Sequence, residues 1–81
     1  MTEVQRLIGL IRTELRLEAE LDAATPLLSS GLVDSLSVVV LLDALEDEYG
    51  VVIDENAIAV ETFDTPEQIL AYVETSRRPS T

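Results

Sequence analysis

Few side chains in this chain can do chemistry. There is no cysteine and no histidine, so thiolate, imidazole base and disulfide are all missing. Hydroxyls and carboxylates remain, and they come together in front of an apolar helical pattern in the run Leu28-Ser29-Ser30-Gly31-Leu32-Val33-Asp34-Ser35-Leu36. Gly31 can break the preceding segment and Asp34 is a good N-cap, which puts the Ser35 hydroxyl in the exposed first turn of a helix. A hydroxyl placed there projects beyond the helix body, where a large enzyme can reach it for covalent modification. Asp34 and Ser35 could also do no more than cap a helix. Three further features set the run apart from a bare cap: Gly31 sits three residues ahead of Asp34, Leu36 follows the serine directly, and a long loop after a helix delivers the run.

The elements that must position this run read as all-α, a small three-to-four helix bundle with a long first loop. Thr2 with Gln5 predicts a capping box, and Val4, Leu7, Ile8, Ile11 and Leu15 recur at helical spacing, so a first helix should end near Leu17. Residues 18–33 hold Pro26, Gly31 and the Ser29-Ser30 pair and read as a loop, pinned to the core by Leu27, Leu28 and Leu32. The second helix should start at Asp34 or Ser35 and run to about Tyr49, with Gly50 as its stop. Val51-Val52-Ile53 resembles a strand without a partner and is read as an extended linker tucked into the core. Asp54-Glu55-Asn56 could open a short third helix, and Phe63 should anchor the core. Thr65-Pro66-Glu67-Gln68 combines an N-cap, a proline at the first helical position and a capping box, so a last helix should follow, with Ile69, Leu70, Tyr72 and Val73 inward. Residues 1–76 form the expected domain and residues 77–81 an expected disordered tail.

Composition narrows the function classes. Eighty-one residues, 47% of them hydrophobic, suit one small domain with an aliphatic core. Sixteen acidic residues against five arginines give a net charge of −11. Such a field repels nucleic acids and anionic membranes and favours basic protein surfaces. No secretory signal is visible, and the longest purely apolar run, Val38 to Leu42, excludes membrane insertion, so the cytoplasm is the expected location. An enzyme is disfavoured by the missing histidine and cysteine and by the little room for a water-excluding pocket. Asp43 to Gly50 does not match a calcium-loop pattern, and no metal site is expected. Once the helices pack, no large apolar face should remain, which predicts a monomer.

Gly-x-x-Asp-Ser-Leu within a small acidic helical domain resembles the attachment site of the acyl and peptidyl carrier proteins, and the resemblance spans roughly residues 4–75. It implies a 4′-phosphopantetheine arm joined covalently to Ser35, with its phosphodiester near the positive end of the helix dipole, an interaction of ~0.3–1 kcal/mol that assists without deciding. It implies that Asp34 helps hold the cofactor and metal of a phosphopantetheinyl transferase during loading, and that Leu36 touches that transferase. It also implies visits by an adenylating enzyme or acyltransferase and by condensing, tailoring or transferring enzymes. The chain departs from the carriers of bacterial fatty acid synthesis, which show acids soon after the serine. Here those positions are Ser37 and Val40, and acid returns only at Asp43, Glu46, Asp47 and Glu48. Partner contacts are therefore expected at Ser37, Val40, Asp43 and Asp47, in a dedicated natural-product pathway of polyketide or nonribosomal peptide type. Gly31-Leu-Val-Asp-Ser-Leu36 and Phe63-Asp64-Thr65-Pro66 are similar in style to free-standing D-alanyl, aminoacyl and acyl carriers. The rival expectation is an acidic adaptor that binds partner proteins without being modified.

Overall fold

A computed structural model describes residues 2–54 and 58–77. Thr2 and Gln5 form the expected capping box, with bonds of 3.0 and 3.2 Å. They open α1 (Glu3–Leu15), whose buried residues are Leu7 and Ile11. This helix stops short of Leu17 because Arg16 takes the left-handed conformation, φ 52°, and the Leu17 amide turns back onto the Arg12 carbonyl at 3.0 Å.

The second helix, α2 (Ser35–Tyr49), starts and stops where expected. Asp34 is its N-cap and Gly50, φ 67°, its left-handed C-cap, whose amide donates to the Glu46 carbonyl at 2.9 Å. Leu41, Leu42 and Leu45 face the core. In the linker beyond, Val51 and Ile53 are buried while Val52 between them is 88% exposed. The alternation is that of a strand, but the Ile53 amide finds a Glu46 carboxylate at 2.9 Å rather than a neighbouring strand. There is no strand among the described residues.

The third helix, α3 (Val60–Phe63), is one turn and has no side-chain cap bond. It begins later than an Asp54–Asn56 start would place it, and residues 55–57 lie outside the described residues. What fixes it is Phe63, 1% exposed, which meets Tyr72 of the next helix edge-on at 5.9 Å. That helix, α4 (Pro66–Arg77), opens with the expected box: the Gln68 amide donates to Thr65 Oγ1 at 3.2 Å and the Thr65 amide to Gln68 Oε1 at 3.0 Å. It includes Arg77, the first residue assigned above to a tail. The remaining tail residues, 78–81, lie outside the described residues.

α1 packs on α2 and α4, and α3 packs on α4, around one core to which every helix and the long loop contribute. In that loop the anchors differ from expectation. Leu27 and Val33 are 1% and 3% exposed, whereas Leu32, expected to pin the loop, is 38% exposed. A turn closed on Asp22 precedes them, its carboxylate accepting from the Ala24 amide at 2.8 Å and the Thr25 hydroxyl at 3.1 Å.

Candidate functional site

The long loop reaches α2 along a path held by one distant carboxylate. Asp64, at the end of α3, accepts on Oδ1 from the amides of Leu27, Leu28 and Ser29 at 3.1, 2.8 and 2.9 Å, and on Oδ2 from the Ser29 hydroxyl at 2.7 Å. The Ser30 hydroxyl donates to the Pro26 carbonyl at 2.6 Å. Gly31 then turns the chain at φ 83°, a conformation other residues rarely adopt. Val33 closes the loop by donating its amide to the Leu27 carbonyl at 3.0 Å. The next residue is the N-cap Asp34, whose Oδ1 accepts from the Ser37 amide at 2.9 Å.

Ser35 is thus the first residue of α2. Its side chain is exposed and its hydroxyl has no hydrogen-bond partner among the described residues. The Ser29 hydroxyl donates to Asp64 and that of Ser30 to the Pro26 carbonyl, while Ser37 is half-buried with its amide on the Asp34 carboxylate. Of the serines at 29, 30, 35 and 37, Ser35 alone combines an exposed side chain with a hydroxyl that bonds nothing among the described residues. Leu36 beside it is 79% exposed, which rules out core packing as its role.

The expected contact residues divide. Val40, Asp43 and Asp47 share one exposed face of α2 with Leu36, spaced four, three and four apart. With Glu14 and Ala44 those three line a shallow groove of about 400 Å³ between α1 and α2. Ser37 is half-buried, donates its backbone amide to the Asp34 cap, and does not line this groove. Glu46 is bound to the linker, so the acidic end of α2 offers fewer open carboxylates than its sequence suggests. Val39, 52% exposed, was not singled out by sequence. It lines a second groove of about 340 Å³ with Ser35, Val38, Leu42 and Ile58, and its place one turn after Ser35 was the available signal. Among the described residues no cluster of metal-ligating side chains exists and no helix is long and apolar enough to cross a membrane.

Two carboxyls are shifted. Asp34 lies below its ordinary value of 3.8 mainly because of the Ser37 amide, then the Ser37 hydroxyl, with desolvation opposing. Asp64 is lowered from the same 3.8 first by the Ser29 amide, against desolvation, with the Ser29 hydroxyl and the Leu28 and Leu27 amides adding to it. The folded chain therefore holds these protons less readily than the unfolded chain does. Their stabilisation is complete above pH 3.8 and disappears as the pH falls toward the lowered folded value. Thermal melts between pH 7 and pH 3 should show this: the wild-type chain loses stability more steeply below the ordinary carboxylate value than Asp64→Asn does. Parallel curves would contradict it.

The arrangement can accept a covalent group on Ser35 Oγ, with first-turn amides and the positive helix end near an attached phosphate. The site suits a phosphodiester through an uncommitted, exposed hydroxyl and open space beside it, the neighbouring Asp34 carboxylate being bound to the Ser37 amide. The family model described as "phosphopantetheine attachment site" matches residues 5–73. A holo acyl carrier protein from Nitrosomonas europaea, solved by solution NMR, matches in structure with a TM-score of 0.74 and 26% identity, over 93% of this chain and 95% of that one. No curated protein matches.

Proposed function

The chain belongs to the phosphopantetheine attachment-site family, and on that premise we propose that Ser35 is the residue that bears the arm. The coarser role needs no proposal: this is a carrier protein with a covalent 4′-phosphopantetheine, and it is not an enzyme. The arm supplies the thiol that a chain without cysteine lacks, so that cargo is held as a thioester. The protein's own part is to present the Ser35 hydroxyl, keep its neighbours Ser29 and Ser30 occupied, and offer α2 as a docking face. The observation that carries the reading is the exposed, unpartnered hydroxyl at the first position of α2.

The experiment is intact mass after incubation with coenzyme A and a promiscuous phosphopantetheinyl transferase, beside Ser35→Ala. The expected result is a gain of one phosphopantetheine in the wild type alone. No gain in a folded wild-type chain would leave the unmodified acidic adaptor as the better reading.

The finer reading is a discrete acyl or aminoacyl carrier of a dedicated natural-product pathway. In it an adenylating enzyme or acyltransferase charges the arm, and condensing, tailoring or transferring enzymes then use the cargo. In this reading the carrier works in the cytoplasm and draws its arm from coenzyme A. Support for the pathway class comes from α2, where Leu36, Val39 and Val40 are exposed apolar side chains and acid follows only at Asp43 and Asp47. Partners suited to this face carry an apolar contact for Leu36 and Val40, with basic residues beyond it for Asp43 and Asp47. Val40→Glu is expected to weaken native partners about tenfold in Kd while leaving the melting temperature unchanged. Titration calorimetry with each charging or condensing enzyme checks this, and unchanged affinities across the panel would remove Val40 from the contact surface.

A further inference from the structure

The carboxylate of Asp64 has more bonds than helix capping requires. The capping of α4 is already complete without it, through Thr65 and Gln68. Its own acceptor oxygens are spent instead on three consecutive amides and one hydroxyl, 35 to 37 residues earlier in the chain. Successive amides converging on one oxygen form an anion-holding concavity, here filled by a side chain of the same protein. Asp64 is itself well fixed. It is 9% exposed, its amide donates to Gln68 Oε1 at 2.9 Å, and Gln68 Nε2 donates to the Glu61 carbonyl at 3.1 Å.

The residues it holds lead directly to the modification site. Leu27 donates its amide to the Asp64 backbone carbonyl at 2.8 Å as well as to the carboxylate, and its own carbonyl accepts the Val33 amide at 3.0 Å. Val33 adjoins the N-cap Asp34. This foot keeps its backbone bond when the Asp64 side chain is removed, so the carboxylate's own hold is on Leu28 and Ser29. Buried Leu27 and Val33 side chains fix the two feet of the loop, while the arc between them, Leu28 to Leu32, lies largely at the surface. Along that arc the polar anchors are the Asp64 bonds to Leu28 and Ser29, the bonds of the Ser30 hydroxyl, and one internal bond from the Gly31 amide to the Leu28 carbonyl at 3.2 Å. Nothing bonds the Ser35 hydroxyl itself, so its place is set by the capped start of α2 and by the frame that leads into it.

We propose that Asp64 is a positioning residue for the modification of Ser35, fastening the surface arc against which a transferase must seat. The proposal rests on the reading of Ser35 as the attachment residue. Without the latch the arc samples more conformations, and an enzyme docking on it must order it first. The effect falls on KM for the protein substrate, since the hydroxyl reacts normally once docked.

The test compares wild type with Asp64→Ala, Asp64→Asn and Ser29→Ala in loading from coenzyme A by a promiscuous phosphopantetheinyl transferase. Each is assayed below its own melting temperature, with amide NMR spectra of the apo proteins alongside. Asp64→Ala is expected to raise KM about five- to tenfold with kcat within about twofold, and to move the amide resonances of Val33 to Leu36. Asp64→Asn keeps one oxygen for the loop amides and is expected to recover most of the loss. Ser29→Ala should give a smaller rise of the same kind. If Asp64→Ala does not fold, Ser29→Ala decides, and a wild-type KM in it overturns the proposal. A lowered melting temperature with unchanged KM and unchanged resonances at Val33 to Leu36 overturns it too, because that is what a merely structural carboxylate would do. If the wild type itself is not loaded, the Ser35 reading and this proposal fall together. Normal loading of wild type and variants alike removes only this one.

Discussion

Phe63→Ala is expected to cost about 3–5 kcal/mol of stability, the range for truncating a fully buried aromatic ring. For a chain of this size that is roughly 15–30 °C in melting temperature, and a large part of the ~5–15 kcal/mol that holds a small domain folded. Phe63 is among the largest fully buried side chains, and it meets Tyr72 edge-on at 5.9 Å. It also ends the four-residue α3, whose N-terminus has no side-chain cap bond, so burial of this ring is what keeps the helix in place. Because Asp64 follows directly, the variant should loosen the loop latch as well. Circular dichroism melts measure the loss. A decrease of less than about 5 °C would mean that α3 is held by something other than its aromatic anchor.

Leu36→Glu should do the reverse, leaving stability nearly untouched and disabling loading. At 79% exposure the side chain has little burial to lose, so the melting temperature should move by no more than the ±0.5 kcal/mol usual for surface changes. Leu36 adjoins Ser35 and starts the exposed face that continues through Val40 to Asp43 and Asp47. A modifying enzyme that reaches Ser35 has to cover Leu36. Apolar side chains buried by a partner at the centre of a contact cost ~2 kcal/mol or more when lost, about thirtyfold in kcat/KM. Introducing a carboxylate adds desolvation to that loss. Loading kinetics beside a melt check both halves, and wild-type kcat/KM would show that the transferase docks elsewhere.

What could be read from the sequence was local. Thr2 with Gln5, Thr65 with Gln68, and Asp34 ahead of Ser37 are pairs three residues apart whose hydrogen bonds follow from helix geometry, and each is in place. Gly50 stops α2 for an equally local reason. The start of α2, and with it Ser35, followed from those rules. The misplaced features depend on contacts between distant segments. Leu32 and Val33 are both apolar, and only the path of the loop decides that Val33 faces inward. Glu46 reads as a surface acid until the linker folds back and spends it on Ile53. Arg16 ends α1 in a left-handed conformation that arginine does not announce. Asp64 was visible only as part of the Phe63-to-Pro66 run. Its grip on Leu27 to Ser29 spans more than thirty residues, and no spacing rule covers such a distance.

The central claim is that the fold singles out one hydroxyl among Ser29, Ser30, Ser35 and Ser37. Fragmentation mass spectrometry of the loaded chain tests it most directly, by reading which residue carries the phosphopantetheine. The predicted result is a single modification on Ser35, because the Ser29 and Ser30 hydroxyls are bound to Asp64 and to the Pro26 carbonyl and Ser37 is half-buried. An arm found on any of the other three serines would contradict the account.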